Sequence, residues 1–188
     1  MSSFYNQEEL QAIGFSSLGD NVLISRKASI YGAEKMHIGN HVRIDDFAIL
    51  SGQVTLGNYV HIAAGCKLYG GISGIEIKSF SGCSANCTIY AQIDDFSGEY
   101  MLHPTIPDIY RNVVNGAVVL ESHAVVGAHS VVLPAVIVGE GVAVGAQSLV
   151  NKSLDAWGVY AGSPARFIKE RSKELLQHHA RFMADTSS

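Results

Sequence analysis

A histidine-proline pair, His103-Pro104, stands with Arg111 in a polar and aromatic stretch, residues 91–115, that also carries Asp94, Asp95, Glu99 and Tyr100. Imidazole has an unperturbed pKa of about 6.5 and can take up a proton at neutral pH, so His103 has the chemistry of a general base, although a lone loop histidine is more often a surface residue. Carboxylates at Asp94 and Asp95 could hold a hydroxyl or ammonium group of an acceptor. His61 precedes an apolar position, Ile62, so it turns outward and could line an acceptor cleft. His123 and His129 are six residues apart. A catalytic zinc would need about three converging imidazoles, which that spacing does not supply, and no metal is expected. Cys66, Cys83 and Cys87 fall at positions that point inward. Their odd number argues against a disulfide framework, and buried free thiols with no chemical role are expected.

The element that must position these side chains is set by a longer period. From Leu120 onward an aliphatic residue recurs at every sixth position: Val126, Val132, Val138, Val144, Val150. Neither a helix (period 3.6) nor an amphipathic strand (period 2) returns a side chain to one environment every six residues. A coil made of three short flat faces does. Four residues after each aliphatic comes something small or β-branched, Ala124, Ser130, Val136, Val142 and Ser148, where a triangular coil narrows. Gly and Asn or Asp between them suit corners that need positive φ. The same pattern runs through Ile24/Ile30, Ile38/Ile44/Leu50, Leu56/Ile62/Leu68 and Ile77/Cys83/Ile89. It breaks at Gly52-Gln53, Gly70-Gly71 and Ser73-Gly74, where bulges or small loops are expected.

A fixed internal repeat marks a solenoid in which each turn is buried by its neighbours, with turns stacked at roughly 4.8 Å. The expected architecture is therefore an all-β solenoid, a parallel β-helix over residues 20–155 with an inserted loop at 91–115. A long excursion from a repeat is either functional or disordered, and the Tyr, Phe, Ile and Pro content of this one argues for order. Short helical segments flank the solenoid, residues 1–19 and 156–188. Asn6 and Glu9 form a capping-box pattern before Leu10 and Ile13. Ser163-Pro164 is expected to open a second helix carrying Phe167, Ile168, Leu175 and Leu176 that frays from about His178. Trp157 is expected to cap the end of the coil.

A net charge of −4 gives no reason to expect nucleic acid or an anionic membrane as partner. No apolar run is long enough to span a bilayer, and the opening Met1-Ser2-Ser3-Phe4 lacks a signal-peptide pattern, so a cytoplasmic location is expected.

These hexads resemble those of the hexapeptide-repeat acyltransferases, which implies that the β-helix is left-handed. The His103-Pro104 segment resembles its counterpart in the maltose and galactoside acetyltransferases. That likeness continues from Val119 to Glu170 through His123-Ala-Val-Val-Gly-Ala and Ala161-Gly-Ser-Pro-Ala-Arg-Phe-Ile-Lys. It implies an acetyl-coenzyme A dependent sugar acetyltransferase that needs no metal, with His103 as base on a loop projecting toward the next subunit of a homotrimer. Ala128 and Ala146 would let the pantetheine arm approach the backbone. Asn151, Lys152, Arg166 and Lys169 would lie near the adenine and phosphates, Lys169 keeping the charge of a family arginine without its bidentate reach.

The acceptor side departs from the pattern. Ala63 replaces the asparagine of galactoside enzymes, which puts a free galactoside in doubt. Phe4-Tyr-Asn-Gln-Glu-Glu-Leu, Ile44-Asp-Asp-Phe, Asp94-Asp-Phe-Ser-Gly-Glu and Val150-Asn-Lys-Ser-Leu resemble a narrower group, bacterial acetyltransferases of O-antigen clusters. This implies N-acetylation of a dTDP-linked 4-amino-4,6-dideoxy sugar for lipopolysaccharide synthesis. A sugar O-acetyltransferase of the galactoside or maltose type, and a non-catalytic β-helix scaffold, remain as alternatives.

Overall fold

The structure, a computed structural model, describes residues 3–186; Met1, Ser2, Ser187 and Ser188, the outermost residues of the two flanking segments, lie outside it. The chain winds into a left-handed parallel β-helix of about seven turns. One face stacks Leu23-Ile24, Arg43-Ile44, His61-Ile62, Gly82-Cys83, Val125-Val126, Ala143-Val144 and Gly158–Ala161. A second runs from Ser29–Tyr31 through Ile49, Lys67, Thr88 and Val131 to Leu149. A third runs from Ser17-Leu18 through His37, Thr55, Glu76 and Val119 to Ile137. The coil thus begins slightly earlier than residue 20 and closes at Ala161.

The six-residue period is the burial period. Leu120, Val126, Val132, Val138 and Val150 are completely buried, and Ala124, Ser130, Val136, Val142 and Ser148 are buried behind them. The two core hydroxyls are not stranded: Ser130 and Ser148 both donate to the Gly145 carbonyl, at 3.1 and 2.7 Å. Breaks in the hexads fall where expected. The long strands Ile49–Leu56 and Lys67–Ile77 carry two faces across one corner, with register shifts at Ser51/Gly52 and Gly52/Val54. Gly70 is obligatory there, because a Cβ would lie 2.0 Å from the Gln53 carbonyl oxygen. Another corner departs from the expected chemistry. Its positive-φ positions include His41, Tyr59, Phe80, His123 and Trp157 instead of Gly or Asn. Backbone N–H groups there are pinned to the preceding coil (Tyr59 to Asn40, Phe80 to Asn58, His123 to Ser79), and ring stacking adds to what holds them in that region.

At the N-terminal end, helix α1 (Gln7–Ile13) has the predicted capping box between Asn6 and Glu9 and buries Leu10. The C-terminal segment corrects the sequence reading. Ser163-Pro164 opens no helix; it lies in the turn between Gly158–Ala161 and an antiparallel strand, Arg166–Glu170, which places Phe167 edge-on to Tyr160. The last coil would otherwise offer an unpaired sheet edge, and the added strand covers it. Helix α2 starts only at Leu175 and continues past His178 to Thr186. Trp157 does cap the coil, its indole packed over Gly141.

Leu120→Ala should cost about 2–5 kcal/mol, because the stacked coils cannot collapse into the void. Urea unfolding of the variant checks this.

Candidate functional site

Residues 91–115 leave the coil at the corner already widened by the two long strands. The excursion is built as a hairpin, Gln92–Asp94 against Val113–Asn115, closed by a bond from the Gly116 N–H to the Ala91 carbonyl. Asp94 is its internal strut. One carboxylate oxygen accepts the His103 backbone N–H and the other accepts the Arg111 guanidinium, each at 3.1 Å. Arg111 first, then the His103 amide, hold this carboxyl below the usual range. Asp95 is committed within the loop as well, to the Ser97 N–H at 2.8 Å and the Asn112 amide at 2.7 Å. The His103 ring is exposed on a left-handed backbone (φ +79°), and no group among the described residues bonds to it. Beneath the hairpin a cavity of about 630 Å³ is lined by the stacked Tyr69 and Tyr90 with Gln92, Asp94 and Arg111.

A larger groove, about 830 Å³, lies elsewhere and takes no side chain from residues 91–115. Ala63, Gly82, Ser84 and Ala85 are among its lining residues and share it with His61. A Cβ on Gly82 would sit 2.5 Å from the His61 carbonyl oxygen, so the backbone there has to stay bare. The His61 ring is outward, as predicted, and its Nε2 meets Asp45 Oδ2 at 2.8 Å. The other Asp45 oxygen takes the Arg43 guanidinium at 2.7 Å. Partial burial would raise the Asp45 pKa, but the bonds from His61 and Arg43 outweigh it, and the carboxyl lies below its ordinary value.

The far wall is α2. Arg171 donates to the carbonyls of His123, Gly141 and Val142 at 2.9 to 3.3 Å. His179 Nδ1 meets His123 Nε2 at 2.9 Å, and Phe182 stands edge-on to Tyr59 and Phe80. The rings His41, Tyr59, Phe80 and His123 stack along the corner with centroids 4.5 to 5.4 Å apart. His129 turns away to Asn86, so the two hexad histidines share nothing.

Ala128 and Ala146 occupy successive levels of the corner that also carries Ala64 and Ala85, of which Ala85 lines this groove. Among the described residues, the N–H groups of Ala85, Ala128 and Ala146 have no partner. Arg166 is paired with Ala161 at the top of this row, whereas Lys169 faces Val159 on the adjoining face; Asn151 and Lys152 follow the strand that ends at Val150. All four polar residues are exposed. Cys66, Cys83 and Cys87 are buried free thiols, and burial pushes the Cys83 thiol up. Among the described residues no three His, Cys, Asp or Glu side chains converge, and no helix is long and apolar enough to cross a membrane.

The sequence reading missed Asp45, Ser84, Arg171 and His179. Asp45 and Ser84 carried a usable signal. Residues about one coil apart (Asp45, Ala63, Ser84) are stacked by the ladder, which puts Asp45 beside His61. Arg171 and His179 had none, since their placement depends on where the final strand ends.

Comparison with known proteins gives a family and whole-length relatives. A model described as "Bacterial transferase hexapeptide (six repeats)" matches residues 35–70. The chain is 40% identical over 181 residues to the dTDP-4-amino-4,6-dideoxy-D-glucose acyltransferase of Escherichia coli, covering 93% of this chain and 92% of the relative. It superposes on AntD, an N-acyltransferase from Bacillus cereus in complex with dTDP and 3-hydroxybutyryl-CoA, with a TM-score of 0.98 and 54% identity, covering 100% of both chains. The S84C variant of AntD, in complex with dTDP-4-amino-4,6-dideoxyglucose and coenzyme A, gives a TM-score of 0.96 at 54% identity, with 98% of this chain and 99% of that one covered.

Burial first, then His179 and Arg171, lower the His123 pKa against an opposing pull from Glu140. The folded state therefore prefers the neutral ring. Its contribution is complete above the unfolded value, about 6.5, and declines as pH falls below it. Hydrogen exchange of α2, corrected for intrinsic rates, should accelerate between about pH 7 and pH 5; invariant protection would contradict this.

Proposed function

The chain belongs to the bacterial hexapeptide transferases, and from that membership we propose that it moves an acyl group, acetyl in the simplest case, from coenzyme A to the 4-amine of a dTDP-linked 4-amino-4,6-dideoxyglucose. The observation that carries this reading is the end-to-end likeness to an N-acyltransferase seen with that nucleotide sugar and coenzyme A. The variants of AntD are altered at a serine and an aspartate numbered 84 and 94 in a chain of matching length; this chain has Ser84 on its groove and Asp94 bracing its loop.

In the proposed reaction the sugar arrives as an ammonium ion and must lose a proton before it can attack the thioester. His103 takes that proton. Its ring is exposed and unengaged, whereas Asp94, tied to Arg111 and to the His103 amide, fixes the loop that carries it. The pantetheine arm lies along the row Ala85, Ala128, Ala146, where bare N–H groups can pair with its amides, and the N–H of Ala85 faces the developing oxyanion. From Ser84 to Ala161 that row climbs three coil steps, roughly 14 Å at roughly 4.8 Å each. It ends beside Arg166, and Lys152, Asn151 and Lys169 are the further residues proposed for the phosphates and adenine.

The groove draws nothing from residues 91–115 of its own chain, which supports a working unit in which His103 serves the groove of a neighbouring copy, a homotrimer in this reading. A nucleotide-sugar substrate, coenzyme A and three free thiols support a cytoplasmic location.

Coenzyme A release should be measured with acetyl-CoA and 3-hydroxybutyryl-CoA against dTDP-4-amino-4,6-dideoxyglucose, its 4-hydroxy counterpart and simple galactosides. Turnover confined to the 4-amine supports the reading; turnover of the hydroxyl acceptors alone would make the chain an O-acyltransferase, and none at all a scaffold. His103→Ala should lower kcat about 10²- to 10⁴-fold with the fold intact; near-normal turnover would remove His103 from the mechanism.

A further inference from the structure

The amide product and the thiol together require two proton movements, and His103 accounts for one. An ammonium acceptor gives up its first proton to become a nucleophile. The second leaves nitrogen after the carbon–nitrogen bond has formed, while the departing sulfur needs one to become a thiol. A carrier that sits in the groove and can accept from nitrogen and donate to sulfur would close this sequence without solvent.

His61 has the geometry for it. The ring is about half exposed (53%) and lines the groove that also holds Ser84. It is gripped at Nε2 by a carboxylate that cannot swing away, since Arg43 holds the other oxygen. An ionised carboxylate at Nε2 requires that nitrogen to carry the hydrogen. That choice of tautomer leaves the Nδ1 lone pair free, and the same anion stabilises the ring once both nitrogens are protonated. Ala63 and Gly82 beside it are the smallest residues available, which keeps the space around the ring open. The other titratable groups lining the groove are engaged elsewhere: Cys83 is a buried thiol, Tyr59 is stacked between His41 and Phe80, and His123, His178, His179 and Arg171 belong to the far side, where two of the rings bond to each other and Arg171 is spent on backbone carbonyls.

We infer that His61, oriented by Asp45, is a second proton carrier of the transfer. This rests on the reading of the chain as an acyl-coenzyme A dependent N-acyltransferase. The amine nitrogen adds to the thioester carbon and the carbonyl electron pair moves to oxygen. Nδ1 of His61 then takes the proton from the positively charged nitrogen. On collapse the carbonyl reforms, the carbon–sulfur bond breaks with its pair on sulfur, and the His61 imidazolium returns the proton there. The sum is an amide, coenzyme A thiol and the one proton already taken by His103. Asp45 touches no reactant and is a positioning residue.

The test is the pH profile of kcat for purified full-length His61→Gln, His61→Ala and Asp45→Asn with the acyl-CoA and amino sugar that the wild type turns over. His61 is on the surface, so melting temperatures should stay within a few degrees. Both His61 variants should lose about 10²-fold or more in kcat with little change in KM, and the acidic limb of the wild-type profile should change shape to the one that His103 alone sets. Added imidazole should restore part of the His61→Ala rate and none of the His61→Gln rate. Asp45→Asn should lower kcat and leave KM, because the ring can then adopt the wrong tautomer. Variants that keep the wild-type kcat and acidic limb, or that lose KM alone, would overturn the inference while leaving the N-acyltransferase reading standing. A wild type that turns over no amino sugar would instead bring down that reading, and this inference with it.

Discussion

Hydrogen bonding between successive coils is the constraint on which everything else depends. Each short strand is too small to persist alone, and it exists because its N–H and C=O groups pair with the coils above and below while its aliphatic side chain fills the interior. The repeat has a chemical consequence as well as a structural one. Residues about one coil apart stand in columns, so the outward positions form rows whose spacing is that of hydrogen-bonded strands. Small residues at one corner (Ala64, Ala85, Ala128, Ala146) make a track whose amides have no partner among the described residues, and bulky rings at another (His41, Tyr59, Phe80, His123) make a stacked wall against which α2 docks.

Against this regular frame the two functional features are departures of different kinds. The hairpin at 91–115 is an insertion at a corner where the previous coils had already relaxed into long strands, so its cost to the ladder is small. Its internal order comes from a buried guanidinium: Arg111 is 12% exposed and ties Asp94 and Asp108 together. The groove is made instead by subtraction, through Gly82 at a position where the adjacent coils carry His61 and Val125, and by α2 closing one side. A scaffold that positions one histidine on an exposed loop and another in a groove on a coil of the same chain is well suited to an enzyme that works as several copies.

Much of this was legible in the residues. The period of six gave the coil, the inward positions and the breaks; the change in composition after Tyr90 gave the insertion; Asn6 and Glu9 gave the first helix. The C-terminal region was misjudged because Ser163-Pro164 satisfies the local rules for opening a helix, while the edge of the last coil, a non-local demand, pulled Arg166–Glu170 into an antiparallel strand. Positive φ at aromatic residues was likewise invisible, since propensity disfavours it and only the ladder and the stacking of rings enforce it. Among the site residues, spacing turned His61 outward, whereas the parts expected of His103, Ala128 and Ala146 came from the family resemblance. Asp45 and Ser84 needed the stacking of coils to reveal their neighbours, and Asp94 and Asp95, expected to meet an acceptor, also make bonds within the loop that their spacing did not foretell.

The central claim is that chemistry occurs in the groove on the coil, with the loop of another copy brought to it. A crystal structure of the protein with coenzyme A and dTDP-4-amino-4,6-dideoxyglucose tests it most directly. The account predicts the thiol between His61 and Ser84, the pantetheine arm along Ala85, Ala128 and Ala146, and a neighbouring His103 beside the sugar amine. Coenzyme A seated in the cavity beneath the hairpin, or a sulfur remote from His61 with His103 facing only solvent, would contradict it.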